Sequence, residues 1–239
     1  MMKLLLSFSR FAFLIGISTS IFTAEGELPS VETIIDKWIE VTGGKDAIQK
    51  IENRVTEGEA ENSNIGGMIT DVVRYFAKPA KAREFFNMNS VDLLPRGSDG
   101  QKTYGLDNRW PPRVYMRWNR IDLALCWKEL YTKGKVQEMT NIQKEDCFKV
   151  AMYPPEEKPE YWYFSKISGD LLRLETRSND DKILLVSFSD FKNADNLKIP
   201  HKITIELDGH MEELLTINRI KHNVKLSDWW FDIPSRVNK

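Results

Sequence analysis

The clearest order along this chain is a change of period. Between Pro29 and Gly44 the apolar residues Val31, Ile34, Ile35, Trp38 and Ile39 recur at helical spacing. Ser30 stands where a capping hydroxyl belongs, and Glu32 sits near the positive end of the helix dipole. Gly43-Gly44 ends that helix, and a short second turn over KDAIQKI puts Ala47, Ile48 and Ile51 on one side. From Arg54 onward the pattern is that of strands. It is plainest in the C-terminal half, where CFKVAMY sets Phe148, Val150 and Met152 on one face and Lys149 on the other. Leu172 and Leu174 alternate with Arg173 and Glu175, and Ile203, Ile205 and Leu207 with Lys202, Thr204 and Glu206. Turn signals separate these runs: Asp99-Gly100, the QKED around Glu145, Ser168-Gly169, Asn179-Asp180-Asp181 and Asp208-Gly209. Such spacing predicts an antiparallel meander. One stretch interrupts it, RWNRIDLALCWKELY, whose Trp118, Ile121, Leu125 and Leu130 predict a helix inserted mid-sheet. The pairs Pro111-Pro112 and Pro154-Pro155 mark loops, and Gly66-Gly67 a turn between strands.

A large antiparallel sheet with one solvated face has to cover the other, and two short helices cannot cover so many strands unless the sheet bends over them. The expected fold class is therefore mainly β (α+β), a curved antiparallel sheet with the N-terminal helix and the inserted mid-chain helix over its concave face. Two runs carry apolar side chains on both faces, YWYF (Tyr161 to Phe164) and ILLVSF (Ile183 to Phe188). Either these are central strands covered by helices and loops, or part of the concave face stays open for an apolar guest. Candidates for lining such a hollow are Phe76, Phe86, Met88, Trp110, Trp118, Phe148, Val150, Met152, Leu172, Leu174, Val186, Phe188, Ile203, Ile205 and Leu207. Seven Trp, twelve Phe and eight Met supply large, adaptable apolar surface for either purpose.

Charge and composition narrow the partners. With 41% apolar and 29% charged residues the chain has ordinary globular composition, and a net charge of -1 without any Lys/Arg stripe argues against nucleic acid. The N-terminus reads as a signal peptide over residues 1–24: Lys3, the apolar FAFLIGI after Arg10, then Ser18-Thr19-Ser20, with cleavage after Ser20 or after Ala24. Arg10 splits the apolar run, leaving less than the roughly 20 residues that cross a bilayer. Residues 25–239 are expected to form one domain in an exported, periplasmic protein. There Cys126 and Cys147 would meet oxidising conditions, which permits a disulfide and leaves two separate buried thiols equally open. Catalytic parts are lacking. His201, His210 and His222 belong to no HExxH pattern and are expected at the surface, no GxSxG elbow occurs, and the cysteines are not spaced as a zinc knuckle. Glu156-Glu157 and Glu212-Glu213 are neighbours expected to point to opposite sides of a strand. The expectation is no enzyme, no metal and no cofactor.

Several segments, taken in order, resemble the LolA/LolB-like lipoprotein-carrier superfamily, especially its outer-membrane lipoprotein-sorting group. They are DKWIEVTGGKDAIQKI, SDGQKTYGLDNRW, WKELY, KEDCFKVAMYP, EYWYFSKISGDLLRLE, DFKNADNLKIPHKI and the closing HNVKLSDWWFDIP. Asn196 departs from the family's usual Gly before the Ile-Pro pair, and Asn108-Arg109 lengthens the loop before Trp110. The resemblance implies a half-open antiparallel barrel, a half-barrel with a helical lid over an apolar cavity that takes acyl chains, each buried methylene contributing about 0.8 kcal/mol. The implied partners are a lipid or lipoprotein acyl chain and membrane-bound donor or acceptor proteins. A periplasmic sensor or interaction domain of the same fold is the alternative. In the carriers an Arg just before a Pro helps govern release; the similar position here is Lys78 before Pro79, with Arg83 nearby, although Lys lacks the forked geometry of Arg. Those two are the release or gating candidates, and solvated charges at a strand end are the other reading.

Overall fold

A computed structural model describes residues 27–63, 66–88 and 91–233, with backbone only at 88, 91–94 and 228; the expected signal peptide lies outside the described residues. The chain opens with helix α1 (Val31–Thr42) and a short α2 (Lys45–Gln49). Ser30 Oγ accepts the Thr33 N–H at 3.1 Å, as its position predicts. At the other end Gly43 adopts φ 130°, and a Cβ there would lie 2.3 Å from the Asn196 carbonyl oxygen, so only glycine lets α1 dock so closely. Asn196 itself has φ 64°, a left-handed conformation Asn tolerates, which explains how it stands where a glycine was expected.

The strands are β1 (Asn53–Asn62), β2 (Met68–Ala77), β3 (Lys81–Met88), β4 (Val91–Asp99) and β5 (Thr103–Tyr104) in the N-terminal half. After an insertion come β6 (Lys133–Ile142), β7 (Glu145–Tyr153), β8 (Glu160–Ser165), β9 (Leu171–Arg177), β10 (Ile183–Ala194), β11 (Leu197–Leu207) and β12 (His210–His222). They form one twelve-stranded antiparallel sheet in the order β5-β4-β3-β2-β1-β12-β11-β10-β9-β8-β7-β6. β1 pairs with β12, so the first and last strands meet at the centre and each half of the chain builds one arm. The sheet is curved and does not close. One apolar core shows the curvature directly, for it joins Phe76 and Ala82 on one arm to Val150, Met152 and Trp162 on the other, with Ile35, Tyr115 and Trp127 from the helices between them.

Four local readings change. The inserted helix is two, α3 (Pro112–Trp118) and α4 (Leu123–Leu130). Asn119 Nδ2 donates at 2.8 Å to the Tyr115 carbonyl, which also accepts the Asn119 backbone N–H at 3.2 Å, and the chain turns through Arg120-Ile121 before α4 begins at Leu123. Pro112 is not loop but the first residue of α3, where a missing N–H costs nothing. The pairing of β8 with β9 skips Leu172, since Tyr163 faces Arg173 and Phe164 faces Leu171. This irregularity turns Leu171 and Leu174 inward and places Leu172 in a separate cluster with Ile142, Cys147 and Tyr163. Within YWYF, Trp162 and Phe164 enter the core, whereas Tyr161 and Tyr163 lie under the Lys149 ammonium at 4.7 and 5.9 Å. Glu156-Glu157 sit in the β7–β8 turn rather than on a strand.

Candidate functional site: a cavity beneath the helix link

Between the concave face and the helices lie two adjoining hollows of about 140 and 160 Å³. They share Arg54, Trp118, Arg120, Ile121, Leu174, Phe188, Ile199 and Pro200 as walls. Each has room for roughly a benzene-sized group, and jointly they reach the lower end of ligand pockets, about 300 Å³. The first lobe is floored by β1–β3 and β9–β12 through Thr56, Phe76, Val186, Ile203, Ile205 and Leu215, and roofed by Trp110, Tyr115 and Trp118. The second extends under α1 and α4 between Trp38, Ile48, Leu123, Ala124, Leu171 and Leu197. Arg120 and Ile121, in the link between α3 and α4, border both.

Of the sequence candidates, Phe76, Trp110, Trp118, Leu174, Val186, Phe188, Ile203 and Ile205 line this space. Phe148, Val150, Met152 and Leu207 do not: they belong to the packed core beyond its wall, filled by the protein's own side chains. Phe86 packs beside Ala60, Val72 and Leu215 with the Arg96 guanidinium 4.9 Å above its ring. Leu172 is on the outer cluster, and the Met88 side chain lies outside the described residues. Lys78 and Arg83 do not border the cavity either. Lys78 Nζ donates to the Gln49 carbonyl at 2.7 Å and to Glu52 Oε1 at 3.3 Å, at the strand end. Arg83, one residue out of phase with the inward Glu84, donates to the Trp230 carbonyl at 2.6 Å and stacks between Phe85 and Trp230. It thereby fastens the 3-10 turn Asp228–Phe231 to the outer face.

Charged groups on the concave side were missed from the sequence. Across the strands Thr56, Arg74, Glu84 and Arg96 stand in one row. Glu84 accepts Arg74 Nε at 3.0 Å, Arg96 Nη2 at 3.1 Å and the Tyr115 hydroxyl at 2.7 Å, and Arg96 also holds Glu213 at 2.9 and 3.1 Å. Burial alone would raise the Glu84 carboxyl, but the guanidiniums of Arg74 and Arg96 and these hydrogen bonds hold it at about 2. On the other arm buried Glu160 accepts Arg117 Nε at 3.0 Å, Trp118 Nε1 at 2.7 Å and the Tyr131 hydroxyl at 2.5 Å. Helix α3 is thus tied to both arms, through Tyr115 to β3 and through Arg117 and Trp118 to β8. The available signal was phase: Arg74 falls two residues from Val72 and Phe76, and Glu84 two from Ala82 and Phe86, in step with inward apolar positions.

Arg54 has a different environment. Its Nε donates to Nε2 of His222, its cross-strand partner, at 3.1 Å, so that nitrogen is unprotonated and Nδ1–H donates to Asp195 Oδ2 at 3.0 Å. Burial and the neighbouring Arg74 push the Arg54 guanidinium down to about 10, which leaves it charged at neutral pH. Burial, with Arg54 adding, also lowers the His222 imidazole against the opposing pull of Asp195. The expectation of surface histidines therefore holds only for exposed His210; the side chain of His222 is 3% exposed, and His201 is buried with Nδ1 3.0 Å from the Ile199 carbonyl. Cys126 and Cys147 are two free thiols, one on α4 and one in the outer cluster, so no disulfide joins them. Burial, with Asp122 adding, pushes Cys126 up to about 12, and burial, with Glu145 adding, also raises Cys147. Among the described residues no three His, Cys, Asp or Glu side chains come together as a metal site, and no helix is long and apolar enough to cross a membrane.

No family model matches the sequence, and no curated protein matches it. Solved structures do match. A domain named for outer membrane lipoprotein sorting from Vibrio parahaemolyticus superposes with a TM-score of 0.56 at 11% identity, covering 83% of this chain and 97% of that one. A DUF1329 family protein from Desulfovibrio piger gives 0.51 at 13% identity, covering 88% and 100%. A LolA superfamily protein from Nitrosomonas europaea gives 0.50 at 14%, covering 86% and 99%. At these identities the likeness is one of architecture: the chain has the unclosed, curved antiparallel fold of LolA-like proteins.

Proposed function

We propose that the protein is an exported carrier that holds the acyl chain of a lipid or lipoprotein in the two-lobed cavity, and that it has no enzymatic role. The observation that carries this reading is the apolar hollow itself, bordered by the α3–α4 link and lined by side chains from both arms and four helices. The shared architecture with proteins named for lipoprotein sorting supports it. So does the expected leader over residues 1–24, with residues 25–239 as the mature domain. A chain of about ten methylenes would gain roughly 8 kcal/mol on leaving water, near micromolar affinity before the costs of ordering. The link residues Arg120 and Ile121, rather than Lys78 and Arg83, are placed to gate the guest, because they alone of these four border the hollow.

The test is native mass spectrometry of protein purified from a membrane-containing host, with titration of a fluorescent fatty acid. Co-purified lipid and saturable uptake are expected. Phe188→Asp, which puts a carboxylate on the wall common to both lobes, should weaken uptake about tenfold or more while the protein still melts cooperatively. Absence of both bound lipid and uptake would overturn the carrier reading in favour of a sensor of the same fold.

A further inference from the structure

We infer that the guest is a single-chain amphiphile with a carboxylate headgroup, a fatty acid, whose acid group docks on Arg54 at the junction of the two lobes. This rests on the reading of the hollow as an acyl site. Five cationic side chains border the lobes, and four of them have a carboxylate partner. Arg74 has Glu84 at 3.0 Å, Arg96 has Glu213 at 2.9 Å, Arg120 has Asp122 at 2.9 Å and Lys198 has Asp170 at 2.6 Å. Among the described residues Arg54 makes no ion pair, and its one hydrogen bond there goes to a neutral imidazole.

The half-buried Arg54 guanidinium has no carboxylate beside it to offset its partial loss of water, and an arriving anion supplies one. Arg54 uses Nε on His222 and leaves both terminal nitrogens free, the pair that grips a carboxylate with two parallel hydrogen bonds. The His222–Asp195 contact fixes the imidazole that in turn orients the guanidinium, so the fork is held before any guest is bound. Size points the same way. Hollows of 140 and 160 Å³ suit one slender chain and a two-oxygen headgroup.

The experiment is calorimetric titration of the delipidated full chain with decanoate, decanol and decyl phosphate at neutral pH. The wild type should prefer decanoate to decanol by about tenfold or more, the worth of a charge-assisted pair. Arg54→Gln should abolish that preference. Arg54→Lys, which keeps the charge and loses the fork, should fall between, and it carries the test should Arg54→Gln fail to fold. Equal affinity of the wild type for decanoate and decanol overturns the inference and leaves the carrier reading standing. Undiminished preference in either variant overturns it as well. Tighter binding of decyl phosphate overturns the carboxylate assignment, and binding of none of the three overturns the carrier reading itself.

Discussion

Arg96→Met offers the sharpest test of how the concave face tolerates charge. The substitution keeps the length and apolar stem of the side chain and removes a guanidinium that donates three hydrogen bonds, two to Glu213 and one to Glu84. Both glutamates are 0% exposed. Glu84 retains Arg74 at 3.0 Å and Tyr115 at 2.7 Å, whereas the next cation from Glu213 is Arg109 at 3.9 Å. Almost the whole loss therefore falls on Glu213, a buried carboxylate stripped of its partner, at a cost of about 3–5 kcal/mol. For a domain of this size each kcal/mol moves the melting temperature by about 2–4 °C, so calorimetry at neutral pH should find a fall of about 6–20 °C. The double variant Arg96→Met/Glu213→Leu replaces the pair with apolar groups and should recover most of that fall. A single variant melting within about 3 °C of the wild type, or a double variant less stable than the single, refutes the reasoning.

Glu84 is held at about 2 against an ordinary 4.5, so its ionised form stabilises the fold above pH 4.5 and that contribution fades as pH drops toward 2. Denaturant melts of Glu84→Gln across this window should show a shallower acid loss than the wild type, and an unchanged slope would contradict the assignment. Gly58→Ala would bring a Cβ within 2.0 Å of the Thr216 carbonyl oxygen at the β1–β12 irregularity, so an overpacking loss of about 1–3 kcal/mol is expected in urea titrations. The thiols of Cys126 and Cys147 should resist iodoacetamide in the native protein at pH 8 and react fully in denaturant; an intact mass two hydrogens lighter without reductant would reveal a bridge.

Most of the architecture could be read from the residues, for physical reasons that also mark where reading stops. Helix α1 was fixed at both ends because Ser30 and Gly43 act through local backbone chemistry. The meander followed from period-two runs such as Phe148, Val150 and Met152, which do share the inner face. The same rule misplaced Leu172, since a one-residue irregularity between two strands leaves no trace in either sequence alone. The break in the inserted helix falls where the Arg120 N–H turns to the Arg117 carbonyl, a step that apolar spacing does not reveal. Phe188 and Ile203 border the hollow, whereas Val150 and Met152 pack in the core, although all four alternate alike. Arg54, Arg74, Glu84 and Arg96 were passed over because a charged residue reads as outward-facing until its cross-strand partners are known.

The bridge made by α3 decides which part of the molecule gives way first. Parting the two arms to admit a bulky body means pulling Tyr115 from Glu84 or Arg117 from Glu160, and either loss strands a buried carboxylate short of donors at about 3–5 kcal/mol. Swinging Ile121 outward exposes one aliphatic side chain, about 1.5–3 kcal/mol. Under the proposed carrier role, entry would therefore be by way of the four connecting residues between α3 and α4, and the frame that α3 ties together would limit the girth of what passes.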